Sequence, residues 1–194
     1  MKPPTLVPGL ALSCLSSLFI NAGIRQVAIA QSAGDNLTPA QIDQLQSTGV
    51  KIAVPTYIPD GFQVAEIEVK PCPNGARRCR FGPSYTITYR NAGGYNFSIQ
   101  SASGGFGGPV LASKLPINSP LFGREYVLYY GKYPNVSPPK EGMFSDWMKG
   151  DEGQYYMFLE NDSYLSPAEA VRVIESLQYL NPGSTPGRVP DATW

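Results

Sequence analysis

Histidine is absent from the 194 residues. That absence removes imidazole activation of a serine or cysteine nucleophile and every zinc site built on His ligands. Charge is sparse, since Asp, Glu, Lys and Arg make up 15% of the chain and the 15 basic side chains balance the 15 acidic ones. A neutral chain lacks the field that captures nucleic acid, so none is expected as a partner. Cysteine is scarce, with 3 in all: Cys14, Cys72 and Cys79. What is present is enough for a core: 42% of residues are hydrophobic, a fraction incompatible with a disordered charged polymer. Gly 20 and Pro 19 favour short strands and turns over long helices. One domain fits this length.

The first thirty residues read as a signal peptide. Lys2 gives a positive start, Leu6 to Ile24 is mostly apolar, and Ala28-Ile29-Ala30 offers small residues to a signal peptidase that cleaves after Ala30. An uncleaved anchor is the alternative, weakened by Pro8, Gly9, Asn21 and Gly23. A lipidated Cys14 in Ala11-Leu12-Ser13-Cys14 is a third reading, weakened because the apolar run continues past it. The expected location is therefore periplasmic or extracellular, with no membrane span left after cleavage. Loss of Lys2 and Arg25 takes the 15 basic residues to 13 against 15 acidic, which is still close to neutral.

Cys72 and Cys79 flank Pro-Asn-Gly-Ala-Arg-Arg, and in an oxidising compartment they are expected to form a disulfide across a strand-to-strand loop. A zinc site would need two further Cys or His ligands that the mature chain lacks. The spacing is not that of a redox Cys-x-x-Cys pair. So short a loop contributes at most about 2–3 kcal/mol.

Thr38-Pro39-Ala40-Gln41 reads as a helix entry, with Thr38 as cap, Leu37 and Ile42 as a hydrophobic staple and Gly49 as terminator, so a helix is expected over 39–48. An extended arm from Pro55 to Phe62 follows. Apolar and polar residues alternate in Ala65–Lys70, Tyr85–Tyr89 and Tyr95–Gln100, the period of a half-buried strand. Arg124 to Gly131 reads as a strand central in the sheet and covered by helix. Phe144 to Lys149 and Gln154 to Glu160 read as a hairpin. Ser166-Pro167-Ala168-Glu169 is a second capping box, and Ala170, Val173, Ile174, Leu177 and Leu180 extend an apolar stripe that predicts a helix over 166–179. Residues 181–194 read as a flexible tail. The expected fold is a single α+β domain over residues 31–180, an antiparallel sheet of about six or seven strands packed by an N-terminal and a C-terminal helix.

Pro55-Thr56-Tyr57-Ile58-Pro59-Asp60-Gly61-Phe62, the segment Asp146-Trp147-Met148-Lys149-Gly150 to Tyr156, and Leu165-Ser166-Pro167-Ala168-Glu169-Ala170 to Leu177 fall in one order across about residues 50–180. In that order they resemble a bacterial extracytoplasmic domain of unknown function found in anti-sigma-factor-like and lipoprotein-like envelope proteins. The resemblance implies a sheet with packing helices and no catalytic residue. The Cys72 to Cys79 loop, the Gly104 to Gly108 segment and the tyrosine-rich middle strands depart from that pattern.

Candidate sites are few. Arg77, Arg78 and Arg80 could hold an anionic group, or could be a solvated hairpin tip. Trp147, Tyr155 and Tyr156 share one expected hairpin and could stack on a sugar, although strand propensity also accounts for tyrosine there. Asp146, Glu160 and Asp162 are the acids near them, and nothing in their spacing marks a glycosidase pair. No enzyme activity, cofactor or metal is therefore expected. The function expected is a monomeric binding or interaction module of the cell envelope whose partner is an envelope protein or a glycan. A carrier of an apolar ligand is the alternative, with a cavity lined by residues such as Ile87, Phe97, Ile99 and Leu128; a glycan-binding or glycan-processing protein is a further one.

Overall fold

In the computed structural model, which describes residues 34–72, 82–104, 107, 111–122, 125–134 and 136–180, the alternating segments pair into one antiparallel sheet. The strands in chain order are β1 (Ala53–Pro55), β2 (Gln63–Lys70), β3 (Ser84–Arg90), β4 (Asn96–Ala102), β5 (Ser113–Asn118), β6 (Glu125–Lys132), β7 (Glu141–Ser145), β8 (Met148–Lys149), β9 (Tyr155–Glu160) and β10 (Leu177–Tyr179). The order across the sheet is β2-β3-β4-β9-β7-β6-β5, with β8 also paired to β9. That is an 8-stranded sheet where six or seven strands were expected, and β1 with β10 forms a separate 2-stranded one.

Three differences from the sequence reading have physical causes. β5 carries Pro116, which lacks an N–H; it pairs on one side only, with β6, so it is an edge strand where proline is tolerated. The segment from Phe144 to Lys149 is two strands. Phe144 opposes Leu159 and Met148 opposes Tyr156, so Ser145, Asp146 and Trp147 face only Phe158 and Met157, and the extra residue kinks the chain. β6 lies inside the sheet but next to its β5 edge, not at its centre.

Both helices start as their caps dictate. In α1 (Pro39–Gln46) the Thr38 N–H donates to Gln41 Oε1 at 2.8 Å and the Gln41 N–H returns to Thr38 Oγ1 at 3.3 Å. In α2 (Pro167–Glu175) the Ser166 N–H donates to Glu169 Oε2 at 3.0 Å and the Glu169 N–H returns to Ser166 Oγ at 3.2 Å. α1 stops at Gln46, short of residue 48. α2 stops at Glu175 instead of running to 179, with Ser176 at its C-cap, where the hydroxyl donates to the Val173 carbonyl at 2.8 Å. Leu177–Tyr179 then pairs with Ala53–Pro55 as β10. The Ser166 bonds hold the Glu169 carboxyl below its ordinary value. Ser166→Ala is expected to lower stability by about 1 kcal/mol at neutral pH. The loss should shrink as acid protonates Glu169, which urea unfolding at two pH values would show.

One face of the sheet carries the core in rungs set by the register: Tyr85–Ser101–Tyr156, Ile87–Ile99–Phe158 and Tyr89–Phe97–Glu160, all buried. α1 packs at β2, while α2 packs at β5, β6 and β1, and the buried residues of both helices join the one core cluster. The segment entering β1 is fastened by phenols. Tyr85 Oη accepts from the Ala53 N–H at 2.7 Å and donates to the Ala53 carbonyl at 3.3 Å, and Tyr156 Oη donates to the Lys51 carbonyl at 2.8 Å. Burial keeps both phenols protonated by raising them far above their ordinary value.

Candidate functional site

Several sequence candidates lie outside the described residues: the leader 1–30 with Cys14, then Arg77, Arg78, Cys79 and Arg80, and the tail 181–194. Most of the Gly104 to Gly108 segment does too. Cys72, half-buried, follows the end of β2.

The trio Trp147, Tyr155 and Tyr156 does not form one surface. Tyr155 and Tyr156 are neighbours on β9 and point to opposite faces, and the alternating burial of that strand puts Tyr156 at 0% exposure in the core. Tyr156 is thus excluded from any contact with a ligand at the surface. Trp147 and Tyr155 are half-buried.

The three acids divide by role. Asp146 Oδ2 accepts from the Val127 N–H at 3.0 Å, and its charge, with burial and a hydrogen bond, raises the Tyr129 phenol above its ordinary value. Glu160 is 1% exposed. Its Oε2 accepts from the Ser163 N–H at 2.9 Å and its Oε1 from the Tyr164 N–H at 2.7 Å, so both oxygens hold the turn after β9. Desolvation nevertheless raises its carboxyl above the ordinary value. Asp162 is exposed, and its carboxylate makes no hydrogen bond among the described residues. Glu160 is out of reach of a substrate, which leaves no facing carboxylate pair built on it. Among the described residues no group of three or more His, Cys, Asp or Glu is placed to hold a metal ion.

The positions at which a carrier would line its cavity are filled. Ile87, Phe97, Ile99 and Leu128 are each 0% exposed in one cluster. The Phe97 ring stacks on Tyr89 at 4.8 Å and on Phe158 at 5.6 Å, and meets Phe62 at 5.3 Å.

The surface aromatic feature is elsewhere. Tyr95, after the turn joining β3 to β4, and Tyr164, in the loop from β9 to α2, stack with ring centroids 4.3 Å apart and planes 21° apart. They are 40% and 53% exposed. The sequence carried a signal for one of them: Tyr95 follows Asn91-Ala92-Gly93-Gly94, a turn that lifts it to the sheet's end. Nothing local foretold its partner, because Tyr164 comes from a loop far along the chain.

Among the described residues no helix is long and apolar enough to cross a membrane. No family model, no curated protein and no solved structure matches the chain.

Proposed function

We propose that the chain is an exported, non-enzymatic binding or interaction module of the bacterial cell envelope, akin to the extracytoplasmic domains it resembles. The observation that carries this reading is the gathering of Tyr95 and Tyr164 into an exposed stack at one end of the sheet while the core positions beneath are filled. A filled core and a presented patch are what an interaction module needs, whereas a carrier needs a hollow. The Cys72 to Cys79 bridge belongs to the same reading. What supports it is that the segment holding both cysteines joins the paired ends Lys70 and Ser84 of β2 and β3.

The test uses the full chain expressed with its leader in a bacterial host. Intact-cell crosslinking followed by mass spectrometry of the envelope fraction should show a mature chain lacking residues 1–30, lighter than its reduced form by two hydrogen atoms, in a discrete crosslinked species. A chain retained in the cytoplasm, or a mature chain that carries stoichiometric lipid and no crosslink, would overturn the reading.

A further inference from the structure

We propose that Tyr95 and Tyr164 form a stacking platform for an uncharged hexopyranose unit of a glycan. The inference rests on the binding-module reading and names its surface and ligand class. Three large apolar side chains are exposed among the described residues, Tyr95, Val136 and Tyr164, and two of the three lie on each other.

The pair is held in place from beneath. The Tyr164 N–H is bonded to the buried Glu160 carboxylate, and the Tyr95 N–H donates to Asn91 Oδ1 at 3.1 Å. The Tyr164 ring touches Phe62 at 5.9 Å, and Phe62 rests on Phe97 in the core. Gly93 has no side chain where a Cβ would come within 3.2 Å of the Tyr95 ring, so glycine lets the turn close against it. Ser163 adopts φ +49, a left-handed conformation disfavoured for any residue with a Cβ. A strained turn anchored by a buried charge, and used to present a ring that stays half-exposed, is arranged for contact with something outside the chain.

The chemistry around the rings selects the ligand. A hexopyranose with equatorial hydroxyls turns a flat face of C–H groups outward, which packs on an aromatic ring, while its rim of hydroxyls seeks hydrogen-bond partners. Asp162, two residues before Tyr164, offers a carboxylate with no bond among the described residues, and Asn91 and Asn161 bring amides from the two loops that carry the tyrosines. Glu160 is buried and bonded, so the exposed charge beside Tyr164 is that of Asp162, which repels a uronic or sulfated sugar and favours a unit without anionic groups.

The experiment titrates the full chain with cellotriose and with tri-N-acetylchitotriose, followed by tyrosine resonances in NMR, with trigalacturonate as the acidic comparator. Saturable binding of at least one neutral trisaccharide is expected, with trigalacturonate weaker. Tyr164→Ala and Tyr95→Ala should each weaken binding by several-fold to about ten-fold, while Tyr164→Phe, which keeps the ring and its contact with Phe62, stays within about two-fold. The Phe variant and Asp162→Asn, an exposed change that should also weaken binding, keep the test decisive should an Ala variant unfold. Absence of saturation by both neutral sugars, or unchanged affinity in Tyr164→Ala, overturns the proposal. If neither sugar binds and the crosslinked envelope species disappears in the tyrosine variants, the surface serves a polypeptide: this proposal falls and the binding-module reading stands. If a sugar binds but the chain is retained in the cytoplasm, the reading falls and the platform stands.

Discussion

Phe97→Ala is expected to lower the unfolding free energy by about 3–5 kcal/mol, the range for truncating a fully buried aromatic side chain. Phe97 is 0% exposed and contacts three rings, Tyr89, Phe158 and Phe62, so its removal leaves a void bordered by flat surfaces that cannot collapse into it without losing their own contacts. Against a typical domain stability of about 5–15 kcal/mol the loss takes a large share and could leave the chain mostly unfolded at 37 °C. Phe97→Leu keeps most of the volume and should cost about 1–2 kcal/mol. Urea unfolding of the three proteins checks this, and a change below about 1 kcal/mol for the Ala variant would show that the rung around residue 97 is not close-packed.

Glu160→Ala is the second large effect, with an expected loss of about 2–4 kcal/mol at neutral pH. The two N–H groups of Ser163 and Tyr164 lose charged acceptors, which is offset in part by no longer burying a carboxylate. The pH dependence separates these contributions. Desolvation raises the Glu160 carboxyl above its ordinary value of 4.5. Between that value and the higher folded one, the folded chain holds a proton that the unfolded chain has released, so this group makes stability fall as pH rises through the window. Below 4.5 the proton is bound in both states and the effect vanishes. Glu160→Gln should remove that slope while keeping one acceptor for the turn. A wild-type stability that rises across the window, with Glu160→Gln following the same curve, would contradict the assignment.

Local chemistry was legible and distant pairing was not. Thr38 and Ser166 announced both helix starts because a cap and its returning Gln or Glu lie within one turn. The alternation of β3 was visible because one of its faces is buried and the other only half-buried, whereas β2 alternates as clearly in sequence yet is an edge strand with no fully buried residue, and β4 is buried on both faces. The end of α2 was hidden, since Leu177 continues the helical stripe of Val173 and Ile174, and only the pairing with Ala53–Pro55 turns it into a strand. Pro116 hid β5 because its edge position exists only once the sheet is assembled. In the candidate site, strand period two would have separated Tyr155 from Tyr156, and it places one of them in the core. The stack of Tyr95 on Tyr164 depends on two loops meeting at the sheet's end, a contact that no local pattern encodes.

The pairing of β1 with β10 also sets how the domain responds to tension. Ala53 opposes Tyr179 and Pro55 opposes Leu177, so the chain enters this ribbon and leaves it at the same end. A pull through the two outward-leading strands loads the Ala53/Tyr179 pair first and opens the ribbon like a zip, one rung at a time, instead of shearing every bond together. The seam is reinforced at that end by the Leu180 N–H to Ile52 carbonyl bond at 2.8 Å and by the Tyr85 grip on Ala53. The far end is fastened as well, by the Thr56 N–H and hydroxyl donating to the Ser176 carbonyl at 3.1 and 3.0 Å and the Tyr57 N–H donating to Ser176 Oγ at 3.0 Å, so the seam yields first where the force arrives and meets a second clasp at its last rung.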